Sequence, residues 1–144
     1  MSTANVDIDY DLIEGIFTVL DGNVTYSGTT YPVYKSIPKT PATVYVWITE
    51  VISDEDGTKE DFVYYGTVQI RVINEGLHRA DKKLVQKISG VTRGLLKATK
   101  AAIFSVGDRT LVVFKQSTSD TLVEFGANGI TRISKIDIYD FIVE

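Results

Sequence analysis

Apolar residues recur at helical spacing near the start of the chain, at Ile8, Leu12, Ile16, Val19 and Leu20. They predict a short amphipathic helix over Asp7 to Leu20. Asp7, Asp9 and Asp11 crowd its first turn, where carboxylates cap free N–H groups and suit the helix dipole. Asp21-Gly22-Asn23 is a stop signal. Two short β-like pieces follow, Val24–Tyr26 and Tyr31–Tyr34, joined through Ser27-Gly28-Thr29. Pro32, Pro38 and Pro41 cannot donate to a strand ladder, so this region reads as an edge or loop. Ser36 to Ala42 reads as an extended, exposed arm.

From Thr43 to Ile52 the pattern changes to strict alternation. Val44, Val46 and Ile48 share one face of a strand, with Tyr45, Trp47 and Thr49 on the other. Ser53 to Thr58 contains an Asp-Gly pair and predicts a tight turn. Phe62 to Asn74 reads as the return strand of a long hairpin. Phe62, Tyr64, Gly66, Val68, Ile70 and Val72 lie on one face, and Val63, Tyr65, Thr67, Gln69 and Arg71 on the other. Glu75-Gly76 predicts the strand's end.

His78 to Lys97 returns to a helical period, with Leu84, Val85, Ile88, Val91 and Leu95 as the buried stripe. Lys82, Lys83, Gln86, Lys87 and Arg93 form the wet face. Gly90 and Gly94 are either tolerated helix glycines or points where another backbone approaches closely. Beyond the helix the pattern predicts a short strand or turn at Ala101 to Val106 and a strand at Thr110 to Lys115. A loop at Ser117 to Asp120 and a short strand at Leu122 to Phe125 follow. A long last strand runs from Ile130 to Val143. In that strand Ile136, Ile138 and Ile142 point one way, and Tyr139, Phe141 and Val143 the other. The order of elements predicts an α+β fold: a mainly antiparallel sheet with a long β-hairpin and two helices packed on one face.

At 144 residues the chain fits a single domain spanning 1–144. It contains no cysteine, which excludes disulfides, thiolate catalysis and zinc–thiolate sites. The formal net charge of -4 argues against a dedicated nucleic-acid binder. No apolar run reaches the roughly 18 residues of a membrane-spanning helix, and the acidic start is unlike a signal peptide, so the expectation is a cytoplasmic protein with no membrane partner.

Catalytic chemistry is hard to find. His78 is the one histidine, and it sits where a helix begins. Neither a Gly-x-Ser-x-Gly elbow nor a phosphate-cradling loop is present. The acidic run Asp54, Glu55 and Asp56, with Glu60 and Asp61, does not complete a calcium loop and reads as a solvated turn. No catalytic residue, metal ligand or cofactor site is assigned, and the expectation is a protein that is not an enzyme. The aromatics carry more information. Eight tyrosines and one tryptophan are present, and Tyr31, Tyr34, Tyr45, Trp47, Tyr64 and Tyr65 all precede the main helix. Helices on one sheet face leave the opposite face outward, and Tyr and Trp are enriched at protein interfaces. The candidate oligomer interface is therefore Tyr45, Trp47 and Tyr65, with Ile37, Pro38 and Pro41 of the arm.

The sequence from Val24-Thr25-Tyr26 to Tyr31-Pro32-Val33-Tyr34, the return strand Asp61 to Val72 with its Thr-Val-Gln-Ile-Arg-Val stretch, the single long helix and the terminal strand together resemble a family. The order is similar to that of bacteriophage tail-terminator or tail-completion proteins, and more loosely to other head–tail joining ring proteins of the neck. The resemblance implies a structural virion protein assembled in the host cytoplasm as a homo-oligomeric ring, a hexamer or dodecamer. It also implies contacts to neighbouring neck, tail-tube or portal proteins, and DNA passing through the bore without specific binding. An acidic bore would repel DNA phosphates. The competing expectation is a small adaptor that binds a protein partner through the aromatic sheet face. Deletion of Ile37 to Pro41 is expected to spare folding and impair ring closure, as read by circular dichroism and native mass spectrometry; unchanged assembly would defeat the arm.

Overall fold

The computed structural model describes residues 8–58, 61–77, 81–97, 106 and 111–143. Helix α1 spans Ile8–Leu20. A small hairpin follows, β1 (Thr25–Tyr26) and β2 (Thr29–Thr30), then a two-residue strand β3 (Val33–Tyr34). The hairpin turn is Ser27-Gly28, with φ of 52° and 84°. Positive φ at both central residues is what a two-residue hairpin turn of matching twist demands, and glycine meets it without steric cost.

Two long strands come next, β4 (Val44–Thr58) and β5 (Asp61–Leu77), followed by helix α2 (Lys82–Lys97). Strands β6 (Leu111–Phe125) and β7 (Ile130–Val143) complete the chain. The main sheet has the order β3-β4-β5-β7-β6. Its four long strands are antiparallel to their neighbours, while β3 lies parallel to β4. The expected α+β fold with a long hairpin is the one observed.

Alternation decides which face is buried. Val46 stands opposite Val72, Ile48 opposite Ile70, and Val51 opposite Val68. The same row continues into β7, where Tyr139 faces Val68. These side chains meet Leu12, Ile16 and Leu20 of α1 and Val85, Ile88 and Leu96 of α2 in one core. Helix α1 packs on β4, and α2 packs on β5 and β7. Each fully buried Ile or Leu in this layer contributes on the order of 2 kcal/mol from apolar burial. Both helices therefore sit on the Val46 side, and the Trp47 side has no helix among the described residues.

Several boundaries differ from the sequence expectation. The turn expected at Ser53 to Thr58 is strand: pairing runs on from Ser53 opposite Gly66 to Thr58 opposite Asp61. Ladder hydrogen bonds need no apolar side chain, and the aromatic run on the return strand favours extended backbone. Glu75-Gly76 does not end β5 either, because Gly76 pairs with Thr131 and Leu77 with Ile130. Helix α2 begins at Lys82, where the Asp81 carboxylate accepts a hydrogen bond from the Leu84 N–H at 3.1 Å as an N-cap. The loop expected at Ser117 to Asp120 is a β-bulge within one continuous strand. Ser117 is the extra residue, and its hydroxyl donates to the Ile138 carbonyl at 3.2 Å. Glu60, His78 and the stretch Ala101 to Ser105 lie outside the described residues.

The α2 stripe is also turned from the expected one. Val85, Ile88, Ser89, Thr92 and Leu96 are buried, with Leu84, Val91 and Leu95 only partly so. No neighbouring atom comes within 4 Å of a Cβ placed on Gly90 or Gly94, so within the protomer these are tolerated helix glycines.

Beneath α2, Tyr139 stacks on Phe114 with ring centroids 4.9 Å apart and planes 11° from parallel. Its hydroxyl has no hydrogen-bond partner among the described residues. Burial holds this phenol protonated well above its ordinary value of 10.0, and the charge of Asp137 adds to the effect. In the unfolded chain the phenol ionises near about pH 10. Above that pH the unfolded state releases a proton that the folded state retains, so stability falls as pH rises. Urea melts should therefore show wild-type stability falling from about pH 10 upward, and Tyr139→Phe should flatten that fall. At neutral pH the same variant should be neutral, or more stable by up to about 1 kcal/mol.

Candidate assembly surface

The sheet face away from the helices carries Tyr45, Trp47 and Tyr65, while Ile37, Pro38 and Pro41 lie in the segment between β3 and β4. Trp47 is half-buried, next to Tyr34 across the β3–β4 pair and opposite Arg71 across β4–β5. Tyr45 is different: it is only 4% exposed. Its ring packs against Tyr34 with centroids 5.3 Å apart and planes at 45°. Burial raises the Tyr45 phenol above its usual value, while Arg132 beside it pulls the other way. Tyr45, Ile73 and Ser134 thus form a second, smaller buried row on this face.

The arm starts just after Tyr34. Ser36 and Pro38 to Ala42 are exposed, as expected, and Ile37 is half-buried. The arm is tied back at its end, since the Ala42 N–H donates to the Tyr34 hydroxyl at 3.2 Å. Its beginning is held by Lys35, which pairs with Glu14 of α1 and lies 4.8 Å from the centroid of the Phe17 ring. Pro38 and Pro41 therefore lie on a short exposed loop anchored at both ends. Tyr34 thus holds the end of the arm and packs on the buried Tyr45, while Trp47 is half-buried and Tyr65 exposed.

Next to Trp47 the face is polar. A bulge at Thr49 turns that residue so that its hydroxyl donates to the Gln69 carbonyl at 3.1 Å. Arg71 Nε donates to Gln69 Oε1 at 2.9 Å. Further along, apolar side chains are bare. Ile52 is 60% exposed on β4 and Tyr65 is 46% exposed on β5. At the opposite end of the sheet Leu122, Val123, Phe125 and Ile130 are exposed, Phe125 to 82%. The exposed half of β6 was not recognised from the sequence, because a bulge read as a loop split the strand in two.

A second feature was missed altogether. Asp137 lies on the helix-covered face and is buried. Its carboxylate accepts hydrogen bonds from Ser89 Oγ at 2.5 Å, Gln116 Nε2 at 3.0 Å and Ser119 Oγ at 2.7 Å. These donors come from α2 and β6, so one carboxylate ties the helix to the edge strand through β7. Hydrogen bonds from several donors offset the cost of burying such a polar group. Asp137 interrupts an apolar face in the sequence, which was the only available signal. Among the described residues no group of three or more His, Asp or Glu side chains is placed to hold a metal ion. The backbone of Asp54, Glu55, Asp56 and Asp61 is strand in place of the expected turn, and their side chains are not among those described. No described helix is long and apolar enough to cross a membrane.

Known proteins resemble this chain in architecture and not in sequence. No family model matches it, and no curated protein does. Its fold is also found in a virion. A chain from a structure described as the virion of a native gene transfer agent particle superposes with a TM-score of 0.66. The match covers 92% of this chain and 95% of that one, at 17% identity. The likeness therefore extends over most of the length of both chains.

Trp47→Ala is expected to leave the protomer folded, at a cost of about 1–2 kcal/mol for a half-buried aromatic, and to weaken self-association measured by analytical ultracentrifugation. A protomer that no longer folds would put Trp47 in the core instead.

Proposed function

We propose that this chain is a structural subunit of a phage-like virion, and that copies of it close into a homo-oligomeric ring at the neck or tail. The observation that supports the reading most is the match of nearly the whole fold to a chain of a gene transfer agent virion, over 92% of one chain and 95% of the other. The surface agrees with it. The described residues combine a helix-free sheet face, bare apolar residues at both ends of the sheet, and side chains that suit contact more than catalysis.

In this reading the protein acts without a cofactor and is not an enzyme. Its partners are copies of itself and the adjoining neck, tail-tube or portal proteins, and DNA crosses the bore without base-specific contacts. Head-to-tail contacts between different patches close into a ring when the rotation per subunit divides a full turn. The net charge of -4 disfavours tight phosphate binding, which suits a conduit. Assembly takes place in the host cytoplasm, and the finished ring belongs to the particle. An adaptor working through the aromatic face is less well supported, because Tyr45 is already covered by its own chain.

Mass photometry of the purified chain over a concentration series tests the proposal. The expected result is a discrete cyclic species, a hexamer or dodecamer, in place of a ladder of sizes. A protein that remains monomeric at every concentration, and that is absent from purified particles by mass spectrometry, would contradict it.

A further inference from the structure

The four long strands β4, β5, β7 and β6 alternate in direction across the sheet. Their number is even, so the two outermost long strands, β4 and β6, run in opposite directions. Rotation about a ring axis preserves strand direction along that axis. Placing β6 of one copy beside β4 of the next therefore continues the antiparallel pattern without a break.

Both edges have backbone to offer. Strand β3 covers only Val46 and Trp47 of β4, which leaves Ile48 to Thr58 unpaired on that side among the described residues. Strand β6 is the last in the sheet order. Its first half is irregular, with register shifts between Leu111 and Val113 and between Gln116 and Thr118. Its second half, Thr118 to Phe125, pairs with β7 in unbroken register and contains no proline. Every residue from Ser117 to Phe125 is exposed except Thr121, which is half-buried. Soluble proteins blunt such edges with bulges, prolines or charge, and a regular apolar edge is a template for another strand. Bulges protect the first half of β6, while the second half has no bulge and carries two charged residues, Asp120 and Glu124, beside its apolar ones.

The apolar residues point the same way. Ile52 lies on the open part of β4, while Leu122, Val123 and Phe125 lie on the open part of β6. Each edge thus carries uncovered hydrophobic surface for the other to bury.

We propose that the Thr118–Phe125 edge of β6 is a strand-addition site, and that its occupant is the Ile48–Thr58 edge of β4 from a second copy of this chain. The pairing is antiparallel and staggered along the strands, as closure of a sheet requires. It yields one continuous sheet around the ring, with α1 and α2 of every copy on the same side. This inference rests on the ring reading and names the contact that builds it.

Hydrogen exchange on the wild-type chain, dilute and assembled, is the test. Alternate amides of Thr118 to Phe125 point away from β7 and exchange freely in the protomer. Assembly should slow those amides, and those of Ile48 to Ile52, by at least about tenfold. The double variant Val123→Lys and Phe125→Lys should keep its fold and weaken assembly by a similar factor, since both side chains are exposed in the protomer. A ring that forms with these amides still exchanging freely would overturn strand addition and leave the ring reading standing. A wild-type chain that never assembles, with both edges open, would overturn both.

Discussion

Among the described residues two helices cover one face of this sheet and leave the other without one, and the rest of the structure follows from that constraint. Val46, Ile48, Val68, Ile70 and Val72 are fully buried because α1 and α2 lie across them. The opposite face has to find other cover. At one end it uses Tyr34, Tyr45 and Arg132 to bury Ile73 and Ser134. Elsewhere it remains half-wet, lined by Trp47, Thr49, Gln69 and Arg71. A sheet of this kind also keeps its two edges. The molecule is stable as a protomer on its helical side and unfinished on its edges.

Most of the architecture was readable in the sequence because alternation and helical periodicity are strong signals. The opposition of Val44, Val46 and Ile48 to Tyr45 and Trp47 divided β4 into two faces, while which of them the helices cover is a matter of packing. Where reading failed, backbone pairing overrode local composition. Asp54 to Thr58 look like a turn, yet they are held extended by the strand opposite. Ser117 to Asp120 look like a loop, yet a single extra residue accommodates them in β6. Ser89 and Thr92 break the α2 stripe in sequence and are nevertheless buried, Ser89 on Asp137 and Thr92 on the Ile88 carbonyl at 3.0 Å.

The candidate interface was less legible than the fold. Residue type pointed to aromatic side chains, and it grouped Tyr45 with Trp47 correctly on one face. It did not show that Tyr34 packs on Tyr45 within the protomer, because that contact joins segments whose spacing in the chain says nothing about their packing. Nor did it show the open half of β6, whose exposure depends on how far α2 reaches across the sheet. The Asp137 ties to Ser89, Gln116 and Ser119 have a structural meaning here: they fix the edge strand to the helical layer.

The fold likeness and the open sheet edges are the two observations on which the proposed role in assembly rests. The measurement that tests this most directly is cryo-microscopy of the native particle that contains the chain. The account predicts a closed ring in which β6 of each copy lies antiparallel against β4 of the next and the helices all face one side. A single isolated copy, or a ring whose subunits touch only through helices while both sheet edges stay bare, would contradict it.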